Sequence, residues 1–243
     1  MRKREFVRRS FSSIARSYDL LNTLLSFCLD KWWRKRAVNA FGPAPQGIVL
    51  DACAGTMQLD KAFLNRWGQT TVIALDFSLE MLEKGMERLN EFSITPVCGD
   101  AEILPFRDET FDRAMVGFGI RNLEYPKRGI GELFRVLKLG GRVMILEFGR
   151  PTLPIFRNLY RWYLAWFVPW FGGLLSHQKE TYRYLHDSIM TFYKREDLVA
   201  AMKGVGFSHI STRELTWGIA NLYLGEKGPT RKRSGCEGNN RVR

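Results

Sequence analysis

The sequence has few cysteines, and those it has stand far apart. Cys28, Cys53, Cys98 and Cys236 form no C-x-x-C pair in a chain of 243 residues. This spacing argues against a zinc module or a disulfide framework, predicts no metal site, and suits a reducing compartment. The composition, 45% hydrophobic and 26% charged, is that of a globular protein, and the length suffices for one large domain with a substantial core.

Long hydrophobic runs are also missing. The most apolar stretch, residues 159–175, is interrupted by an arginine, a proline and a Gly-Gly pair, whereas a membrane-spanning helix needs about 20 apolar residues. Residues 1–22 carry arginines where the apolar part of a secretory signal would lie. We therefore expect a cytoplasmic protein without a spanning segment.

Acidic residues are scarce at both ends of the chain. Residues 1–36 hold ten Lys or Arg against three Asp or Glu, and residues 228–243 hold five against one, so most of the net charge of +12 lies at the ends. Basic ends suit lipid headgroups or nucleic acid, and they also suit a role in solubility alone. The aromatic run at 160–171 could be a surface that contacts a bilayer or an isoprenoid chain. Alternatively, it could be a stripe of buried core. Together these features predict peripheral contact with the inner face of the membrane.

Helix and strand patterns alternate along most of the chain, which is typical of an α/β protein with a largely parallel sheet. Apolar residues at spacings of three and four predict helix over 10–40, and a Gly- and Pro-rich linker follows at 41–47. The predicted strands cover 48–51, 71–76, 94–98, 111–118, 142–148, 207–215 and about 217–225. The predicted helices between them cover about 58–67, 78–91 and 122–138.

These patterns divide the chain into three parts. Residues 1–40 form a basic, helical N-terminal segment that we expect to act as a lid. Residues 41–227 form the α/β domain, with an aromatic-rich helical insert at about 151–203. Residues 228–243 are predicted to be a disordered basic tail.

An acidic residue ends each of the first three predicted strands. Asp51, Asp76 and Asp100 therefore meet at the carboxyl edge of the sheet, where doubly wound proteins bind ligands. A lone aspartate at such a place is usually a helix N-cap. Three in register favour a ligand of the adenosine type, because a carboxylate accepts two hydrogen bonds from a ribose diol.

The turn after the first strand reads "DACAGTMQ" (51–58). It lacks the G-x-G-x-x-G pattern of a dinucleotide site, and the chain has no G-x-x-x-x-G-K-[ST] loop for phosphates. A ligand with a ribose, an adenine and an amino-acid end but no phosphate fits better, and S-adenosylmethionine is such a ligand. Small residues in this turn allow the backbone to approach it closely.

With these motifs the chain resembles the ubiquinone/menaquinone biosynthesis C-methyltransferase family from about residue 11 to 227. The "YD-N-LS" start and "FGIRN" distinguish this family from other methyltransferases. The segments that carry the resemblance are "FSSIARSYDLLNTLLS" (11–26), "WRKRAV" (33–38), "LDFSLEML" (75–82), "GDAEILPF" (99–106), "FGIRNL" (118–123), "RVLKLGGRVMILEF" (135–148), "YRYLHDSI" (182–189) and "LTWGIANLYLGEK" (215–227).

The resemblance implies a fold and an activity. The fold is a Rossmann-like class I methyltransferase sheet, mostly parallel with the last strand antiparallel, with the N-terminal helical lid and the helical insert. The activity is C-methylation of a polyprenylated quinol ring with S-adenosylmethionine as the methyl donor. The substrate is demethylmenaquinol, which gives menaquinol, or 2-polyprenyl-6-methoxy-1,4-benzoquinol, or both. The implied partners are the quinol, the membrane, and a second copy of the chain or a quinone-synthesis complex.

The resemblance also implies site residues. Those it assigns to the cofactor are Thr56, Asp76, Asp100, Ala101 and Gly117. Thr56 offers a hydroxyl and a backbone N–H to the methionine end, Asp76 takes the ribose, and Asp51 and Gly55 shape the turn. Position 117 usually holds serine in the family.

Several positions depart from the family pattern. Met57 and Gln58 replace a glycine and an aspartate, Cys28 and Asp30 stand where the family tends to have glycine and histidine, and Tyr223 also replaces a histidine. Methionine is flexible and can lie along a pocket wall without blocking it. It would be strained at position 57 if the backbone there had a positive φ.

Methyl transfer to a ring carbon requires a quinol whose oxyanion pushes electron density onto that carbon. Arg121 and Asn122, after the fourth strand, are the candidates to orient and stabilise this oxygen. Asp19 is a candidate base, directly or through water. Arg121 could instead pair with Glu124, and a tyrosine on the N-terminal helix could belong to the core. The candidate substrate contacts are Tyr18 and Tyr182.

Three other functions remain open. A methyltransferase acting on a sterol or a phospholipid headgroup is disfavoured by the family-specific segments. A nucleic-acid methyltransferase would explain the basic ends, but the segment "GFGIRNLEYP" (117–126) lacks the Pro-Pro-aromatic motif of a base N-methylation site, so we predict no nucleic-acid partner. A non-catalytic, membrane-associated scaffold of quinone synthesis would explain Met57 and Gln58, and Arg121 counts against it.

Overall fold

A computed structural model gives the fold of most of the chain. The residues that it describes are 3–14, 18–42, 47–68, 70–89, 91–170 and 179–228. The predicted tail lies outside these residues except for its first position, Gly228.

Seven strands form one sheet in the order β3-β2-β1-β4-β5-β7-β6. Strand β7 runs antiparallel to both of its neighbours, and the other pairings are parallel. The predicted fold class is therefore confirmed. The strands are β1 (Ile48–Ala52), β2 (Thr71–Asp76), β3 (Ile94–Cys98), β4 (Phe111–Gly117), β5 (Leu137–Phe148), β6 (Phe207–Leu215) and β7 (Ala220–Lys227).

Nine helices are described around this sheet. They are α1 (Lys3–Ile14), α2 (Tyr18–Leu25), α3 (Leu29–Phe41), α4 (Gln58–Trp67), α5 (Leu79–Leu89), α6 (Pro126–Val136), α7 (Pro154–Trp162), α8 (Lys179–Thr191) and α9 (Arg195–Val205). A π-helical turn, Tyr163–Phe167, continues α7. No helix in the described ranges is both long and apolar enough to cross a membrane.

The prediction of continuous helix over 10–40 is wrong at its centre. Phe27 and Cys28 have φ angles of 51° and 63°, and this left-handed backbone separates α2 from α3. An L-residue pays about 1–2 kcal/mol for this conformation, which is why glycine is the usual choice there. Neither residue is a glycine, so the sequence gives no indication of this break.

Alternating residues of the strands bury opposite faces of the sheet. Val49 packs with Phe63 in the cluster formed with α3, α4 and α5. Its neighbour Leu50 packs with Ile130 and Leu198 in the cluster formed with α6 and α9. Two covered faces explain why β1 and β2 read as apolar runs and not as alternating patterns.

A third apolar cluster lies beyond the carboxyl edge of the sheet. It joins Leu21 and Leu25 of α2 to Tyr160 and Leu164 of the α7 segment and to Ile189 of α8. The N-terminal helices and the insert, far apart in the sequence, therefore form one roof over the ends of the strands. Two cavities lie between this roof and the sheet.

Candidate functional site

The strand ends enclose a small cavity of about 80 Å³, which we call the strand-end cavity. All seven residues that the sequence assigned to the cofactor line it, and Tyr18 and Asn122 do so as well. The residues that form its floor and walls are Asp51, Cys53, Ala54, Gly55, Thr56, Asp76, Asp100, Ala101, Gly117, Phe118 and Gly119. The parallel register brings these positions together, as the sequence analysis predicted.

Asp76, at the end of β2, is held by backbone amides. Its Oδ2 accepts a hydrogen bond of 2.9 Å from the Gly55 N–H, and its Oδ1 accepts one of 2.9 Å from the Ser78 N–H. Burial raises the pKa of this carboxyl to about 6, although the amide hydrogen bonds oppose the rise. The side chain is thereby fixed in one orientation across the turn that follows β1.

Asp51, at the end of β1, lies almost completely buried, and so does Asp60 of α4. Neither carboxylate has a hydrogen-bond partner among the described residues. Burial and the neighbouring Asp60 raise the pKa of Asp51 well above its ordinary value. Only Asp51 of the two lines the strand-end cavity, so it presents an unsatisfied acceptor to a ligand.

Asp19 of α2 binds the turn after β1. Its Oδ1 accepts a hydrogen bond of 2.5 Å from the Thr56 hydroxyl, and its Oδ2 accepts one of 3.1 Å from the Gln58 amide. The Arg88 guanidinium of α5 donates to the same carboxylate. Gln58, which departs from the family pattern, thus helps to fasten the N-terminal segment over the turn. These contacts direct Asp19 toward the turn.

Helix α1 crosses the side of the strand-end cavity formed by Asp100. Arg4 forms an ion pair of 2.8 Å with Asp100, and Lys3 donates to the carbonyls of Arg121 and Leu123 at 2.9 and 2.6 Å. Ser12 hydrogen-bonds with Glu80 at the other end of the helix. The predicted lid therefore contacts the turns after β2, β3 and β4.

Met57 adopts the backbone conformation that glycine favours, with φ of 58° and ψ of 31°. Its side chain is completely buried and points under α5, away from the cavity. A Cβ at Gly85 would lie 2.7 Å from the Met57 Cγ, so the glycine in α5 provides the space for this methionine. The packing of the Met57 side chain against α5 offsets the cost of its left-handed backbone, so the turn keeps its shape.

A larger cavity of about 370 Å³, the aromatic cavity, lies under the roof. Residues from α1, α2, α3, the ends of β4 and β5, the insert and the turn before β7 line it. The principal side chains are Phe11, Tyr18, Leu25, Trp33, Phe118, Phe148, Phe156, Tyr160, Tyr163, Leu164, Tyr184 and Trp217. Its walls are mostly carbon, which suits an apolar ligand.

Arg121 is a buried cation in the lining of the aromatic cavity. Its Nη1 donates to Glu147 Oε1 at 2.9 Å and to the Phe118 carbonyl, and its guanidinium lies 5.1 Å from the centre of the Phe148 ring. The Nε–H has no partner among the described residues. The structure thus pairs Arg121 with Glu147 and not with Glu124.

Asn122 and Tyr184 lie next to this ion pair. The Asn122 amide donates to the Phe118 carbonyl at 3.3 Å, and its Oδ1 accepts a hydrogen bond of 3.3 Å from the Tyr184 hydroxyl. Burial raises the pKa of Tyr184 to about 12, so this phenol stays protonated. Asn122 lines the strand-end cavity and Tyr184 lines the aromatic cavity.

The two cavities share a wall of four side chains: Phe11, Tyr18, Arg34 and Phe118. Phe118 has a φ of 60°, and its ring lies 4.4 Å from that of Phe148. Arg34 is buried, pairs with Asp30 at 2.6 Å and lies 5.5 Å from the Phe118 ring centre. A ligand in either cavity therefore contacts the same wall.

Sequence reasoning missed several of these residues. Glu147 was detectable, because a charge inside the apolar strand "RVMILEF" requires a partner. Arg34 and Asp60 gave no such signal, since they lie on amphipathic helices among other charges. Tyr182 was predicted as a substrate contact, and its side chain lies outside the described residues.

Comparisons with known proteins identify relatives of this chain. The chain is 40% identical over 230 residues to the ubiquinone/menaquinone biosynthesis C-methyltransferase UbiE of Geotalea uraniireducens, covering 93% of this chain and 97% of that one. It is 37% identical over 230 residues to the demethylmenaquinone methyltransferase of Desulfitobacterium hafniense, covering 93% and 91%.

Solved structures share the fold at low sequence identity. A SAM-dependent methyltransferase from Thermotoga maritima superposes with a TM-score of 0.63 over 90% of this chain and 99% of that one, at 19% identity. The pattern that defines the ubiE/COQ5 methyltransferase family matches residues 1–227. The chain belongs to the ubiE/COQ5 methyltransferase family.

Proposed function

We propose that this protein transfers a methyl group from S-adenosylmethionine to a ring carbon of a polyprenylated quinol. One observation carries the proposal: a charged cavity at the strand ends meets a large aromatic cavity, and a buried arginine stands beside the wall between them. Membership in the family, and relatives named for ubiquinone and menaquinone biosynthesis, support the same activity.

The strand-end cavity fits S-adenosylmethionine in chemistry. The unpartnered carboxylate of Asp51 suits the ammonium of the amino-acid end, Asp76 suits the ribose hydroxyls, and Asp100 with Ala101 borders the adenine. When bound, the cofactor supplies an electrophilic methyl group on a sulfonium. Thr56 and Gly55 fix the turn that holds its amino-acid end through their contacts with Asp19 and Asp76.

The aromatic cavity fits the quinol. Its volume of about 370 Å³ lies within the usual range for small-molecule sites, about 300–1,000 Å³. Phe118 and Tyr18 place the ring beside the strand-end cavity, and the roof residues Leu164 and Tyr160 accommodate the first prenyl units. Closure by these side chains excludes water from the reacting carbon.

Arg121 stabilises the quinol oxyanion. A guanidinium has five N–H donors. The Nε–H of Arg121 has no partner among the described residues, while its Nη1 pairs with Glu147. Negative charge on the quinol oxygen strengthens the ring carbon as a nucleophile, so an N–H donor aimed at that oxygen promotes attack. Asn122 orients the same oxygen from the adjacent position.

Asp19 has a positioning role in this proposal. Three donors, Thr56, Gln58 and Arg88, already occupy its carboxylate. The carboxylate is therefore well placed to hold the lid on the cofactor turn.

The exposed side of the α7 segment provides a face for the bilayer. Ile155 is 82% exposed, Trp162 59% and Trp166 70%, and the exposed Arg157 and Arg161 alternate with them. Apolar side chains beside basic ones make the two-signal arrangement of reversible membrane contact. This face adjoins the aromatic cavity, so a prenyl chain can pass from the bilayer to the ring site.

The proposal is tested with purified protein, S-adenosylmethionine and chemically reduced quinones. Demethylmenaquinol and 2-polyprenyl-6-methoxy-1,4-benzoquinol are assayed in parallel for methylated product by mass spectrometry. Methylation of either one supports the proposal and identifies the acceptor ring. Cofactor binding without methylation of either quinol would overturn the assigned substrate, and absence of cofactor binding would favour the scaffold function.

A further inference from the structure

Two buried carboxylates, Asp51 of β1 and Asp60 of α4, face each other beside the strand-end cavity. Their exposed fractions are 1% and 0%, and none of their four oxygens has a partner among the described residues. They lie close enough for one to hydrogen-bond the other when one of them is protonated. Two ionised carboxylates at this distance in a protein interior repel each other strongly.

The charged and titratable groups around Asp51 do not relieve this repulsion. Asp76 faces it from β2 and adds negative charge, and Cys53 lies in the turn after β1. Arg34 of α3 lowers the pKa of Asp51 less than these groups raise it, and that arginine already pairs with Asp30. A single proton held between the two carboxyls is the simplest way to satisfy them.

The direction of the pKa shifts agrees with a shared proton. Burial raises the pKa of Asp60 to about 7, and burial together with Asp60 raises that of Asp51 well above its ordinary value. A carboxyl pair of this kind titrates as a unit. Both shifts favour a state in which one carboxyl of the pair keeps its proton.

We propose that Asp51 and Asp60 hold one proton between them in the free protein, and that the ammonium of S-adenosylmethionine displaces it, so that cofactor binding is coupled to proton release. The proposal rests on the assignment of the amino-acid end of the cofactor to Asp51. Asp60 does not line the cavity and acts through Asp51, as a positioning residue. The proton passes to the buffer, and Asp51 faces the bound cation with Asp60 behind it.

The release of a proton on binding determines whether the affinity for the cofactor rises or falls with pH. Because the free protein binds one more proton than the complex, affinity for the cofactor rises with pH, by up to about tenfold per pH unit below the pKa of the pair. In Asp60→Asn the amide donates to Asp51, which is then ionised throughout the range. We expect the slope of affinity against pH to disappear in this variant.

The test is calorimetric titration at about pH 6.5, where linkage predicts release of about one proton, in two buffers with different ionisation enthalpies. The ligands are S-adenosylmethionine, S-adenosylhomocysteine and 5′-methylthioadenosine. The first two share the amino-acid end, and the third lacks it but keeps the ribose that Asp76 would bind. We expect about one proton released with the first two and none with the third.

The outcomes are distinguishable. Cofactor binding without proton release overturns this inference and leaves the proposed function standing. Equal release with 5′-methylthioadenosine also overturns it, because the proton would then come from the ribose side, where Asp76 has a pKa of about 6. Failure to bind S-adenosylmethionine at all is a failure of the proposed function. The three-ligand comparison needs only the wild-type protein, so it holds even if Asp60→Asn is unstable.

Discussion

The two cavities are built by different means. The strand-end cavity, about 80 Å³, is formed by short turns at the ends of neighbouring parallel strands, and aspartates determine its chemistry. The aromatic cavity, about 370 Å³, is formed by side chains from helices that are more than a hundred residues apart in the sequence. The first depends on backbone register and the second on the packing of large side chains.

The two cavities are therefore sensitive to different kinds of substitution. A hydrogen-bonded carboxylate in the strand-end cavity has one geometry and no substitute. The wall of the aromatic cavity is made of many apolar contacts, each of which contributes little by itself.

Asp76→Ala breaks the strand-end cavity. The substitution removes the acceptor for the ribose and leaves the half-buried Gly55 N–H without its partner at 2.9 Å. A hydrogen bond to a charged group contributes about 1.5–3 kcal/mol. Because the ribose diol makes two of them, we expect affinity for S-adenosylmethionine to fall about 10²–10⁴-fold. Calorimetric titration measures it. Leu164→Ala, in the aromatic cavity, is the matched control, and an equal loss there would contradict the division between the two regions.

Arg121→Gln affects turnover and spares cofactor affinity. Loss of a donor to a developing oxyanion typically costs about 10²–10³-fold in kcat, whereas the affinity for S-adenosylmethionine should stay within about threefold of the wild-type value. Because the substitution leaves Glu147 buried without its cation, the double variant Arg121→Gln/Glu147→Gln serves as the control for stability. Parallel loss of cofactor affinity and kcat would contradict the assigned role.

Gly85→Ala tests the packing beneath the cofactor turn. The new Cβ would lie 2.7 Å from the Met57 Cγ and 2.8 Å from its sulfur, and overpacking of this kind costs about 1–3 kcal/mol of unfolding free energy. Gly131→Ala in α6 is the control, because nothing lies within 4 Å of its Cβ. It should stabilise the protein by up to about 1 kcal/mol through helix propensity. Urea denaturation compares the two, and equal effects would refute the Met57–Gly85 contact.

Trp166→Ala tests the membrane face. The side chain is 70% exposed, and loss of a large apolar side chain from a lipid interface is worth about 1.5 kcal/mol or more, so partition to vesicles of anionic lipid should fall about tenfold. Leu139→Ala, 58% exposed at the start of β5, is the control at the opposite edge of the sheet. A similar decrease for both variants, measured by flotation, would argue against this face.

The sequence predicted the sheet and the residues at its strand ends better than it predicted the helical roof. The bounds of β2 and β3 agree with prediction, as do the positions of Asp51, Asp76 and Asp100 at the ends of their strands. These features depend on local apolar runs and on parallel register, which a sequence displays directly. Family membership, and with it methyltransferase activity, is also confirmed.

What the sequence could not predict depends on contacts between distant residues. The partner of Arg121 is 26 positions away on the next strand of the sheet, and Asp19 reaches Thr56 across 37 positions. The left-handed backbone at Met57 and Cys28 is stabilised by surroundings that no local pattern reports. The catalytic and substrate roles of Arg121, Asn122, Asp19 and Tyr18 stay predictions, as do a homodimer and a larger complex.

The wall shared by the two cavities makes their ligands thermodynamically dependent on each other. Phe11, Tyr18, Arg34 and Phe118 contact whatever occupies either side. If a bound cofactor tightens the binding of the quinol by some factor through this wall, the quinol must tighten the binding of the cofactor by the same factor. A product that loosens the wall likewise lowers the affinity for its co-product. One partition of four side chains can therefore couple the affinities of the two substrates, and of the two products, without direct contact between them.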